Sequence, residues 1–101
     1  MSAEMDSLVK GASDKLEALE QALYALDKIR IVFEDDNGLV EAVADGHGAI
    51  TGLWLAESVT QRTPKEIGDL VVWASKQAVD RAGKKRAEVL AKLNGEFTAP
   101  Q

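Results

Sequence analysis

Between Ala3 and about residue 30 the chain places apolar side chains at Met5, Val9, Ala12, Leu16, Leu19, Leu23 and Leu26, a spacing of 4, 3, 4, 3, 4, 3 without a proline. That is a strict a/d seam. It is narrower than the stripe a helix lays on a globular core, so it predicts a long helix, about 3–29, packed lengthwise against another helix as in a coiled coil. Gly11 is its one weak point, because glycine in a helix interior costs about 1 kcal/mol relative to alanine.

The period then changes to two. Ile29, Ile31 and Phe33 alternate with Arg30, Val32 and Glu34; Asp36-Asn37-Gly38 supplies a turn, since Asn and Gly accept positive φ cheaply; Leu39–Ala44 follows, then Asp45-Gly46-His47-Gly48, then Ala49–Ala56. Three strands joined by two tight turns predict an antiparallel meander over about 30–57. Val40, Val43, Ile50, Leu53, Trp54 and Leu55 make it apolar enough that both faces are expected to be covered. Three strands also leave two open edges, and in so small a sheet these invite pairing with a second copy. The expected interface draws on Val43, Ile50, Leu53, Trp54 and Trp73, with Leu19 and Leu23 of the first helix also available to hold a dimer. Trp54 and Trp73 sit among Leu and Val neighbours and are read as core or interface anchors rather than base-stacking platforms.

From Pro64 the pattern is helical again, to about Asn94. Thr63 as N-cap, Pro64 at the first helical position and Glu66 three residues after the threonine form a capping box, and Gly95 is read as the stop. The apolar stripe runs Ile67, Leu70, Val71, Ala74, Ala78, Ala82, then resumes at Val89 and Leu93. Gly83-Lys84-Lys85-Arg86 interrupts it. Cations on the stripe predict that the distal half leaves the globular body, or that long stems carry their charges out to water. Residues 95–101 are expected to form a frayed tail. The whole is an α/β (α+β two-layer) fold: long N-terminal helix, three-stranded antiparallel meander, long C-terminal helix, in a single domain over 1–101.

Composition bounds the chemistry. At 101 residues and 46% hydrophobic, the chain suits one domain with a core. The longest apolar run, Leu70–Ala74, is far short of the roughly 20 residues of a membrane span, and no apolar run with a cleavage signal marks the N-terminus for export. No cysteine and one histidine leave metal and triad chemistry without partners. His47 beside Asp45 is read as turn chemistry, not as a general base or half a metal site. The glycines at 46, 48 and 52 join strand to strand, so they make no dinucleotide loop, and Asp35-Asp36-Asn37-Gly38 lacks the spaced oxygens of a calcium loop. No enzyme activity and no cofactor are expected.

The net charge of −5 argues at first against nucleic acid. Split along the chain, it is four basic against twelve acidic residues over 1–60, net −8, and eight against five over 61–101, net +3. Lys76, Arg81, Lys84, Lys85, Arg86 and Lys92, against Asp80 and Glu88, give 76–92 a local +4. Such a stretch meets phosphates through counterion release; an ordinary solvated face, partly paired with the acidic first helix, is the plainer account from charge alone.

The order of helix, hairpins and capped helix, with Gly38-Leu39-Val40-Glu41-Ala42-Val43-Ala44-Asp45-Gly46-His47-Gly48-Ala49-Ile50-Thr51-Gly52-Leu53-Trp54-Leu55 and the small-residue run Ala74-Ser75-Lys76-Gln77-Ala78, resembles the YbaB/EbfC family of bacterial nucleoid-associated proteins. The resemblance covers nearly the whole chain and implies a cytoplasmic, nucleoid-associated homodimer whose helices project as paired arms and grip duplex DNA with little sequence preference. By position, the gripping residues are Lys10 and Lys15 in the first helix and Lys84, Lys85, Arg86 and Lys92 in the last. The first helix departs from a comfortable DNA surface. Its six acids outnumber Lys10, Lys15 and Lys28. Relatives associated with specialised secretion leave a second expectation, an accessory protein whose arms hold a polypeptide partner.

Overall fold

A computed structural model describes residues 2–98. Helix α1 spans Ala3–Asp27, strands β1, β2 and β3 span Arg30–Glu34, Val40–Asp45 and Ile50–Leu55, a short 3-10 turn covers Glu57–Gln61, and helix α2 spans Pro64–Thr98. The caps are signed chemically. Ser2 Oγ accepts the Met5 amide at 3.2 Å, and Thr63 Oγ1 accepts the Glu66 amide at 3.2 Å. The Glu66 carboxylate turns to Arg62, 3.9 Å away.

Gly95 is not a stop. It lies within α2 without positive φ, and the Thr98 hydroxyl donates back to Asn94 O at 2.9 Å. A single glycine penalty of about 1 kcal/mol does not end a helix whose apolar positions continue past it. Of the expected tail, 96–98 are helical and 99–101 lie outside the described residues.

The sheet has the order β1-β2-β3, antiparallel throughout. Val40, Ala42 and Ala44 of β2 are fully buried, as are Ala74 and Ala78 of α2, with Ala82 next to them. Alanine facing alanine lets the helix lie close on the strand. Phe33, Ile29 and Leu39 close the sides. Two turns make this register hold. Gly38, at φ +67°, ends the first turn, where the buried Asp35 carboxylate accepts the amides of Leu39 at 2.6 Å and Val40 at 2.8 Å. Gly46 tucks the second turn under α1, so that a Cβ there would stand 2.6 Å from Leu26 O.

The expectation that both sheet faces are apolar enough to need covering is corrected by a bulge, which gathers most of those residues on one face. Ala44 pairs with Ile50 and Val43 with Gly52, leaving Thr51 extra, so Ile50, Leu53 and Leu55 all lie on the face that bears Val40, Ala42 and Ala44. The opposite face keeps Val32, Val43 and Trp54 among Glu34 and Glu41. Helix α2 covers β1 and β2 on the first face and barely reaches β3.

Past Ala82, α2 leaves the sheet and packs on α1. Ala18, Ala22 and Ala25 share a groove with Lys85, Val89 and Leu93; since α1 ends at the sheet, where Gly46 meets Leu26 O, and α2 leaves the sheet past Ala82, the two helices run antiparallel. The arm this creates stretches the molecule to 75 × 17 × 17 Å, with a radius of gyration of 20.7 Å against about 13 Å for a compact chain of this length. The distal half of α2 does leave the body, and the Lys85 stem continues its stripe. The a/d seam of α1 is the second correction. Met5, Val9, Leu16 and Leu23 are exposed; the face turned to α2 carries Ala18, Ala22 and Ala25. Both faces repeat every seven residues, and the smaller side chains win because they let two helices approach more closely.

Candidate nucleic-acid interface

Eight cations follow residue 60, and the structure divides them by what each touches. Arg62 lies 3.9 Å from Glu66 and Lys65 lies 2.9 Å from Asp69, so the base of α2 is internally compensated. Arg81 places its guanidinium 4.7 Å from the centroid of the Phe33 ring, whose other neighbour is Trp73, edge-on at 5.2 Å. Arg81 is thereby tied to the sheet. Lys85 and Lys92 border the groove between the helices, where Lys85 Nζ stands 3.5 Å from a Glu88 carboxylate oxygen and Lys92 shares the lining with Glu96. Among the described residues, no carboxylate lies within ion-pair distance of Lys76, Lys84 or Arg86. With Lys92, which borders Glu96 without an ion pair, these are the cations after residue 60 that no carboxylate or aromatic ring holds among the described residues.

At about 100° per residue, Lys84, Lys85 and Arg86 fan around α2 through about 200°. They do not make one basic stripe. Such a fan can touch phosphates on both sides of an inserted arm, but it cannot read a row of base edges from one helix face. Lys10 and Lys15 sit on α1, apart from this fan. Lys15 lies on the α2-facing side, one turn from Ala18, beside Ser7 and Gly11, and Lys10 is exposed. The acids Glu4, Asp6, Asp14, Glu17 and Glu20 dominate the helix around them.

The residues expected at a dimer interface fall in four places. Ile50, Leu53 and Trp54 line the exposed β3 edge, with Trp54 55% exposed; Trp73 leans on Phe33 of β1; Leu19 and Leu23 belong to the arm. Val43 is already covered within the protomer, with the open Cα of Gly52 beside it. The β3 edge contains no charged residue, whereas β1 carries Arg30 and Glu34.

His47 is exposed, and its backbone amide donates to Asp45 Oδ1 at 2.9 Å, as does that of Ala49 at 3.0 Å. The Ala49 amide bond leads in holding the Asp45 carboxyl below its ordinary range, with help from the His47 amide and charge. This carboxylate builds a turn. Asp35 behaves alike: burial would raise its pKa, but the amides of Val40, Leu39 and Asn37 outweigh that and lower it. Its organising role went unread in the sequence. The signal was present as an Asp two residues before Asn-Gly, the spacing of an Asx-turn.

Among the described residues no helix is long and apolar enough to cross a membrane. No individually curated protein matches the chain. The profile of the YbaB/EbfC DNA-binding family matches residues 1–97, and the chain, with its three-stranded meander and projecting two-helix arm, belongs to that DNA-binding, nucleoid-associated family.

Proposed function

We propose that the protein is a homodimer that holds duplex DNA through phosphate contacts from its helical arms, with little dependence on sequence. The observation that carries this reading is the unpaired cations Lys84 and Arg86 on an arm that projects from the sheet, with Lys76 unpaired on α2 where it still lies on the sheet. Lys85 and Lys92 reinforce them from the edge of the groove. Contacts of this kind position DNA without specifying it. The β3 edge is the dimer contact: it is exposed, apolar on both faces and free of the charges that guard β1. A chain at net −5 binds at most weakly and with strong salt dependence, because only the arm offers positive charge.

The test is a gel-shift titration of unrelated duplexes at low and rising salt. Retardation of all of them, lost steeply with salt, is expected, and replacing Lys84, Lys85 and Arg86 with alanine lowers the salt slope by about one unit per lost contact. Failure of the unaltered protein to retard any duplex at low salt overturns the reading. It would favour the polypeptide-partner alternative.

A further inference from the structure

Between the sheet and the arm the molecule has a waist. Along α2 the last residue buried on the sheet is Ala82, and the next to lose exposure is Val89, which lines the groove with α1; Gly83 through Glu88 are all exposed. Along α1, Asp27 and Lys28 are exposed between half-buried Leu26 and buried Ile29. The two gaps coincide. Ala22 shares the groove with Val89 and Ala25 with Lys85, and the same antiparallel pairing carried on to the end of α1 sets Lys28 about level with Gly83. Both backbones are least constrained there: α1 ends at Asp27 with Lys28 as its cap, and α2 has a glycine whose added Cβ would meet nothing outside its own helix within 4 Å. Among the described residues no hydrogen bond or ion pair joins α1 to the sheet or to α2. Helix α1 bears on the sheet through Leu26, which packs on the core and whose carbonyl oxygen rests against Gly46.

We propose that the two-helix arm swings on the sheet as one unit, about a hinge at Gly83 of α2 and Lys28 of α1. A segment deforms most easily where it buries least apolar surface, and a glycine inside a helix resists bending less than a residue that carries a Cβ. On either side of the waist the packing is continuous: Ala42, Ala44, Ala74 and Ala78 hold the body together, and Ala18 and Ala22 meet Val89 and Leu93 in the arm. Gly68 and Gly95 have equally open surroundings but stand away from the waist, one near the start of α2 and one near its far end. The lever is long. From Lys28 to Met5 it measures about 35 Å at 1.5 Å per residue, so a rotation of about 10° moves the free end by about 6 Å. Lys84, Lys85 and Arg86 begin one residue beyond the hinge, so the swing sets where these cations stand relative to the sheet. In a homodimer it sets the gap between the two arms; that consequence rests on the DNA-holding reading, whereas the hinge itself does not.

At 10.9 kDa the chain suits solution NMR, and residual dipolar couplings of its backbone amides in a dilute aligned medium read the swing directly. Couplings from the arm, residues 6–24 and 87–96, and from the body, residues 30–55 and 66–80, are fitted separately. A rigid molecule gives both parts one alignment; a swinging arm is expected to show a smaller alignment than the body, with its two helices still fitting a single geometry. Gly83→Ala is expected to raise the alignment of the arm towards that of the body. Gly68→Ala and Gly95→Ala make the same exchange in the same helix with the same open space, and are expected to leave the ratio unchanged, which separates a hinge from a general gain in helix propensity. The measurement is made without DNA, so its outcome is independent of any gel-shift result. Equal alignment of arm and body in the unaltered protein, different alignments for the two helices of the arm, or a change in Gly83→Ala no larger than in Gly95→Ala overturns the proposal.

Discussion

The Arg81 guanidinium stands 4.7 Å from the centroid of the Phe33 ring, which removes one of six cations on 76–92 from the pool available to DNA. Charge counting treats Arg81, Lys84 and Arg86 as equivalent. The fold does not: Arg81 fastens α2 to β1, while the other two stand unpaired on the arm.

Arg81→Ala is therefore expected to cost stability, about 0.5–1 kcal/mol from the ring contact, with a smaller effect on DNA. Lys84→Ala with Arg86→Ala is expected to do the reverse. Thermal melts alongside gel-shift titrations of both variants check the split; equal loss of DNA affinity in the two would refute it.

Asp35→Ala leaves the buried amides of Leu39 and Val40 without acceptors, at about 1–3 kcal/mol for each unsatisfied group. Urea unfolding is expected to show a midpoint shift without a change in slope. The sign of the pH effect follows from the lowered pKa of Asp35. The unfolded chain binds this proton more readily than the folded one, so the stabilisation is full above the unfolded value of about 3.9 and is lost as pH falls through the folded value. Unfolding free energies measured from pH 6 to 2 are expected to fall less steeply for Asp35→Asn than for the parent.

Glycine substitutions are expected to divide by environment. Gly46→Ala drives a Cβ to 2.6 Å from Leu26 O and is expected to destabilise by about 1–3 kcal/mol. Gly83 has open space around its Cβ position inside α2, so Gly83→Ala is expected to stabilise by up to about 1 kcal/mol. Opposite shifts in melting temperature are the measurement.

Trp54→Lys puts a charge on the β3 edge, at a residue already 55% exposed in the protomer. Light scattering is expected to show mass falling from a dimer towards 10.9 kDa with the fold retained. A single-chain mass for the unaltered protein at micromolar concentration would remove the β3 contact from the account.

The elements, the turns, the α2 stripe and the start of α2 were legible in the sequence because each depends on neighbours within a few residues: a period of two or three and a half, an Asn-Gly, a Thr-Pro-Lys-Glu. Gly95 misled because a lone glycine records a cost and cannot say whether the following turn outweighs it. The tertiary structure alone decided which face of α1 meets α2. The leucine ridge and the Ala18–Ala22–Ala25 face share one period, so spacing cannot choose between them; close approach of two backbones does, and it favours small side chains. The same packing set the roles of the cations. Adjacent residues such as Lys84, Lys85 and Arg86 have one charge in common and three directions, and only the placement of β1, α1 and Glu88 determines which of their kin are occupied and which stand free.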